Sequence, residues 1–338
     1  MDKVEREYLT STHWGTYEVK VSNGRVVALD PFSEDKDPSP IGPGIVDVMD
    51  GPSRITSPII RKCWLDNGPG ANTNKGGSDE FVHVSWKRAI QLVAGELNRV
   101  KTDFGNHTIY AGSYGWASAG RFHHAQSQLK RFLNCIGGYT GSVNTYSYAA
   151  AEVVVPHILG TFREHIDSST SWSSIIENCE LFVALGGIPL KNGQISAGGT
   201  GNHVQRKGLF SACEAGVEFV NISPLKSDIE HSIQADWIKI RPSTDTAFLL
   251  ALAHTLILEN LVDVEFIEKY TVGFQEFSSY LFGKTDGIEK SAKWGADICN
   301  ISEITIVNLA RTMARKKTMI SVSSVSYTHL TLPTNREV

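Results

Sequence analysis

The chain has 338 residues, 41% apolar and 20% charged, with a formal net charge of -4. That length supplies two or three domains, each with its own buried core, and the composition is that of an ordinary globular protein. A mild negative charge with scattered Lys and Arg excludes a nucleic-acid or anionic-membrane binder, and no run of roughly 18 apolar residues is present to span a bilayer.

The first residues, MDKVEREYLTSTHWGTYEV, carry neither an apolar export segment nor a twin-Arg pair, so a cytoplasmic location is expected. Residues 17–29, YEVKVSNGRVVAL, place two β-rich runs around Asn23-Gly24, a hairpin signal. Residues 30–51 are rich in Pro, Asp and Gly and predict an irregular surface segment; residues 67–78 predict a second Gly/Asn-rich loop. Each loop reads as a connector or as the rim of an active-site funnel. Ser85 caps a helix whose apolar face holds Ala89, Leu92, Val93, Leu97 and Val100, and Gly105 follows its end. A short strand is expected over 108–113 and a helix over 121–136, stopped by Gly137-Gly138.

From Glu180 the pattern alternates. Strands are predicted at 181–185, 217–222, 237–240 and 318–322, and helices at 202–215, 245–259 and from the Ser302 cap to Arg315. Such alternation implies a parallel sheet with helices on both faces, whose ligands lie beyond the carboxyl ends of its strands. Those ends read GGIPLKN, SPLKSD and RPSTD. Small residues there let main-chain N–H groups approach phosphate, and the Asp245 carboxylate can accept two hydrogen bonds from a guanine edge. These segments read equally as plain turns and caps. The Gly198-Gly199-Thr200-Gly201 cluster lacks the spacing of a dinucleotide loop and lies too far beyond its strand. Cys63, Cys135, Cys179, Cys213 and Cys299 are far apart and odd in number, without a CxxC pair. They exclude a disulfide framework, a zinc site and an iron–sulfur cluster, and each reads as a small buried apolar residue. His123 and His124 point about 100° apart on a helix and make poor joint metal ligands; His157 and His165 have no matching ligand partners and read as structural.

Three segments carry a family resemblance: SYGWASAGRFHHAQSQLKRFLNCIGGYTG at 113–141, NTYSYAAAEVVVPHILG at 144–160, and GGIPLKNGQISAGGTGNHV at 186–204. Together with the NISP and RPSTD turns they resemble the dimethyl sulfoxide reductase family of molybdopterin oxidoreductases, in order and spacing from about residue 12 to about residue 323. The wording of the second and third segments is most similar to the biotin sulfoxide reductase branch. The resemblance implies an α/β, mixed multi-domain fold: an N-terminal β-rich region (1–55), an α/β domain carrying the metal ligand (56–165) and an incomplete Rossmann-like dinucleotide-binding domain with a parallel sheet (166–323), with C-terminal domains missing.

It also implies a molybdenum bis(molybdopterin guanine dinucleotide) cofactor and no iron–sulfur cluster. Ser147 matches the family's metal-ligating serine, a hard alkoxide donor suited to oxygen-atom chemistry. Tyr114 and Trp116 match pocket residues that donate O–H and N–H hydrogen bonds to the oxygen being transferred. The family's trimethylamine N-oxide specialists lack this tyrosine, so Tyr114 points toward S-oxides. Lys191, Asn192, Ser223, Pro224, Pro242, Thr244 and Asp245 match positions that hold the guanine dinucleotide arms, with Asp228 a further candidate; Ser243 stands where glycine is usual. The implied activity is oxygen-atom transfer from a small S-oxide or N-oxide to the metal, with electrons from an external donor, either a reduced protein or NADPH. A nicotinamide-dependent α/β oxidoreductase and a non-catalytic remnant are the alternatives; a GxGxxG directly after a strand would favour the former, and none is present. Residues 324–338 resemble adapter read-through and are read as a non-native tail, on which expectation the chain as given would be inactive.

Overall fold

In the computed structural model, which describes residues 6–70, 78–113, 124–143, 148–162, 164, 168–195 and 199–322, Asn23 and Gly24 take φ of +50° and +72°. Two successive left-handed residues match the twist of the strands they join, and they set a tight hairpin. Strands β1 (Arg6–Thr12), β2 (Gly15–Ser22) and β3 (Arg25–Pro31) form an antiparallel meander, with Thr12 opposite Gly15 and Ser22 opposite Arg25. The described residues form two units, those within 1–143 and 194–203, and those within 144–193 and 204–338.

Residues 30–51, expected to be irregular, contain helix α1 (Ile41–Met49). Pro43 reads as a breaker, yet it stands in the first turn, where its missing N–H has no intrahelical partner to lose. Gly42 lies directly on the ring of the fully buried Tyr17, so any Cβ there would overlap that ring. The Tyr17 hydroxyl donates to Ser39 O at 3.0 Å. Tertiary packing against one aromatic ring thus overrides the turn-forming composition.

The same unit holds a buried His–Asp hydrogen bond that sequence spacing does not reveal. His203 Nδ1 lies 2.6 Å from Asp35 Oδ2, with side-chain exposures of 2% and 1%. The His203 main-chain N–H donates to Asp35 Oδ1 at 3.1 Å. This fastening keeps residues 202–204 out of the helix expected to begin at Asn202, which starts at Gln205 instead. Burial alone would raise the Asp35 carboxyl, but the N–H and ring of His203 and the N–H of Asp37 outweigh it and hold the carboxyl below its ordinary value. A carboxyl held low in the folded state lends stability above its unfolded pKa of about 4, and that stability is lost as pH falls through the lowered value. Asp35→Asn is therefore expected to flatten the acid limb of a plot of urea midpoint against pH below about pH 4. An acid limb unchanged in the variant would assign acid sensitivity elsewhere.

The rest of this unit is a short antiparallel ribbon, β4 (Ile59–Arg61) with β5 (Phe81–His83), and helices α2 (Lys62–Asn67), α3 (Trp86–Phe104) and α4 (Ala125–Cys135). The Ser85 hydroxyl caps α3 by accepting from Arg88 N at 3.2 Å, and Gly105 at φ +85° follows its end. Of the strand expected over 108–113, the described residues keep only a bridge between Tyr110 and Thr140. The partner segment offers a single ladder position after Gly137 and Gly138, whose φ values of +114° and +100° stop α4. The expected helix start at Arg121 lies outside the described residues.

In the second unit, β6 (Leu181–Leu185) is buried on both faces, as its unbroken apolar run predicts. It pairs in parallel with β7 (Glu218–Ile222) on one side and β9 (Thr318–Val322) on the other, and β7 pairs in parallel with β8 (Asp236–Ile238). The order is β8-β7-β6-β9. Helices α5 (Ala149–Leu159), α6 (Trp172–Asn178), α7 (Gln205–Glu214), α8 (Asp245–Leu258), α9 (Val264–Tyr270), α10 (Phe274–Leu281), α11 (Ala292–Cys299) and α12 (Glu303–Arg315) complete the unit.

Alternation along the strands sends side chains into two cores. Leu181, Val183, Leu185, Val220 and Ile222 pack with Phe248 and Leu252 of α8, Ala296 of α11 and Ile306 and Leu309 of α12. Phe182, Ala184 and Phe219 face Ile175 of α6 and Leu209 and Ala212 of α7, with the Phe182 and Phe219 rings stacked at 5.5 Å. Each large side chain buried this way contributes roughly 1.5–3 kcal/mol, so the sheet and its two helical layers are a stable platform. Strand β8 stops at Ile238, short of the expected Ile240: Ile240 turns into the α8 core while Arg241 N bonds Cys299 O. The cysteines are free, but only Cys299 is buried, while Cys135 is exposed, because α4 turns it to solvent.

Candidate cofactor cradle

Three turns leave the carboxyl ends of β6, β7 and β8. The first begins Gly186-Gly187, at φ +84° and +76°. Backbone in that region favours glycine. At Gly187 a side chain is also barred by space, because a Cβ would overlap the Cβ and carbonyl oxygen of Asp228. That carbonyl accepts from Ile188 N at 2.7 Å, which fixes the first turn to the second. Lys191 and Asn192 follow on a 3-10 turn, Leu190–Gln194, both exposed. Gln205 braces its entry, its amide donating to Pro189 O at 3.2 Å.

The second turn is built inward. Ser223 is fully buried; its hydroxyl donates to the Asp228 carboxylate and accepts from Leu225 N at 3.2 Å. The Trp237 indole N–H donates to Ser223 O at 2.8 Å, tying the turn to β8. Pro224 is half-buried beside it. Asn221, the penultimate residue of β7, is fully buried and its Oδ1 has no hydrogen-bond partner among the described residues. A buried unpaired acceptor is rare enough to call for a donor.

In the third turn the Thr244 hydroxyl donates to Arg241 O at 2.6 Å, Ser243 takes φ +64°, and Pro242 is exposed. Asp245 is half-buried as the first residue of α8. Burial pushes the Cys299 thiol up, so it stays protonated and donates to Thr244 O at 3.4 Å.

The structure thus places seven of the sequence candidates on one edge of one sheet. Lys191, Asn192 and Asp245 have side chains that form no hydrogen bond or ion pair with a described residue, while the Ser223, Thr244 and Asp228 side chains are engaged in holding the turns. Sequence reasoning missed Trp237, Asn221 and Cys299 as parts of this edge. No motif marks them, since each acts only once the strands are side by side. Tyr114, Trp116 and Ser147 lie outside the described residues. Among the described residues no group of three or more His, Cys, Asp or Glu is disposed to hold a metal ion, and no helix is long and apolar enough to cross a membrane.

A cation, an amide and a carboxylate whose side chains have no partner among the described residues suit an anionic ligand with hydrogen-bonding edges. The molybdopterin oxidoreductase model matches residues 54–329, and its N-terminal domain model matches residues 10–50. The chain belongs to the molybdopterin oxidoreductase family, and membership implies a molybdenum–molybdopterin cofactor. It is 38% identical to the dimethyl sulfoxide/trimethylamine N-oxide reductase of Cereibacter sphaeroides over 93% of its own length and 38% of that protein. It is also 38% identical to the biotin sulfoxide reductase of the same organism, over 88% of its own length and 40% of that protein. It therefore spans about two fifths of the length of these relatives. Acetylene hydratase from Pelobacter acetylenicus shares the fold, with a TM-score of 0.62 at 18% identity, over 93% of this chain and 39% of that one.

Proposed function

We propose that this chain forms the cofactor-gripping and metal-ligating part of a molybdenum-dependent S-oxide or N-oxide reductase acting on a biotin sulfoxide-like substrate. One observation carries the reading: within a molybdopterin-family chain, the side chains of Lys191, Asn192 and Asp245 at the carboxyl edge of the parallel sheet engage no other described residue. Lys191 meets pyrophosphate charge, Asn192 hydrogen-bonds a polar edge of the nucleotide, and the Asp245 carboxylate accepts the paired N–H donors of guanine. Ser223, Pro224, Pro242 and Thr244 hold the turns that present main-chain groups to the same arm. The cofactor in this reading is the bis(guanine dinucleotide) form, and its metal supplies two-electron oxygen-atom transfer. Ser147 anchors the metal, and Tyr114 and Trp116 aim hydroxyl and indole N–H groups at the substrate oxygen, an assignment that rests on their motif. Tyr114 favours S-oxides, among which biotin sulfoxide, methionine sulfoxide and dimethyl sulfoxide share the reacting group. Electrons come from outside the chain, through a reduced protein or NADPH and without an intrinsic iron–sulfur cluster, in a cytoplasmic setting that keeps the free cysteines reduced.

Metal and pterin analysis of the purified full-length gene product tests this. Molybdenum with two guanylated pterins per chain is the expected result. Sulfoxide turnover by preparations devoid of molybdenum would overturn it.

A further inference from the structure

The sequence holds three Asn-Gly pairs, Asn23-Gly24, Asn67-Gly68 and Asn192-Gly193. Asparagine is a chemically labile residue, and a following glycine, lacking Cβ, leaves its main-chain nitrogen open to approach. We propose that Asn192 is a site of spontaneous deamidation, and that a nucleotide in the cradle shields it, so that the lesion marks chains left without cofactor. The Asn192 side chain is exposed and bonds no other described residue. It stands on the short 3-10 turn Leu190–Gln194, a geometry whose hydrogen bonds are poorly aligned and open readily. A bulkier residue at 193 would hinder attack, but packing forbids it. A Cβ there would overlap the Gln205 carboxamide and lie 2.7 Å from Gln205 Cβ, and that side chain is fastened to Pro189 O. Asn67 is equally exposed, yet its pair is held. The Asn67 amide donates to Cys63 O at 3.0 Å, and Gly68 N donates to Trp64 O at 2.8 Å. Asn23 and Gly24 are set at left-handed φ between the paired Ser22 and Arg25.

The step needs water alone. The Gly193 main-chain nitrogen gives up its proton and attacks Asn192 Cγ. The N–Cγ bond forms, the Cγ–Nδ2 bond breaks, and ammonia leaves with that proton. Water then opens the cyclic imide at either carbonyl, which leaves aspartate or isoaspartate at position 192. One water is taken up and one ammonia released, with no change of oxidation state. The product exchanges an amide, which both donates and accepts, for a carboxylate that only accepts. At neutral pH its charge stands beside Lys191 in the chain and opposes a phosphate there. The shielding rests on the function proposed above: a nucleotide edge hydrogen-bonded to the Asn192 amide holds that amide away from the Gly193 nitrogen.

Peptide mapping by mass spectrometry of the 338-residue chain, aged without ligand at mildly alkaline pH, tests the site. Conversion at Asn192 is expected to run roughly tenfold or more faster than at Asn67, the effect of the two hydrogen bonds that hold the Asn67-Gly68 pair. Equal rates, or no conversion at Asn192, overturn the proposal. Guanosine monophosphate at about ten times its dissociation constant fills roughly nine sites in ten. It is expected to slow conversion at Asn192 roughly tenfold and to leave Asn23 and Asn67 unchanged. Nucleotide that binds by calorimetry without slowing Asn192 refutes the shielding. Asn192→Asp, the product made directly, is expected to bind the nucleotide more weakly than the wild-type chain, and undiminished binding would show that the lesion does not reach the cradle. Conversion at Asn192 in a chain to which the nucleotide fails to bind removes the cradle, and the shield with it, and leaves the labile site standing.

Discussion

Ser147→Ala in the full-length gene product is expected to abolish sulfoxide reduction while leaving the four-stranded sheet folded. In the sequence the serine stands two residues before the start of α5, in the NTYSYAAAEVVVPH segment. If its oxygen is bound to the metal, alanine removes a directly coordinating donor. The fall in turnover should exceed the roughly 10- to 100-fold that losing an outer-shell partner costs. Pterin content should change far less, since Lys191, Asn192 and Asp245 remain. Turnover, pterin content and the paramagnetic resonance of the reduced metal, measured together, decide it; wild-type turnover in the variant would remove Ser147 from the metal.

Gly187→Val is the second large effect. Valine at φ +76° carries backbone strain, and its Cβ displaces the Asp228 segment whose carbonyl fixes the first turn to the second. Strain and overpacking together come to about 2–6 kcal/mol, a large part of a domain's net stability. Gly216 provides the control: it also has a positive φ, +91°, but nothing lies within 4 Å of its missing Cβ. Gly216→Val should therefore incur the strain alone. In urea titrations of both variants, Gly187→Val is expected to unfold at clearly lower denaturant and to bind guanosine monophosphate more weakly. Equal midpoints would mean that the Gly187–Asp228 contact is not what joins the turns.

Much of the sheet unit is legible in the amino-acid order because its signals are local. Leu181 to Leu185 is an unbroken apolar run, Ser302 caps α12, and Asn23-Gly24 demands a hairpin. The positions of Lys191, Asn192 and Asp245 are legible for the same reason: each follows a strand. What escapes the sequence depends on distant partners. Helix α1 forms because Gly42 has the Tyr17 ring to sit on, and Asp35 finds His203 across 168 positions. Helices α10 and α11, which the sequence reading did not mark, are amphipathic and pack against α8. The place of Ser223 directly after a strand was legible, but not the inward direction of its hydroxyl, which Asp228 determines.

The pairing of β6 with β9 has a consequence for biosynthesis. Leu181 meets Thr318, so one whole edge of the central strand waits while 137 further residues leave the ribosome. Bringing such distant segments together carries a loop-closure cost that local helices avoid, so the sheet closes late and slowly. Until then a strand of five apolar residues has an unpaired edge, and nascent chains stalled before residue 318 are the species that chaperones must shield.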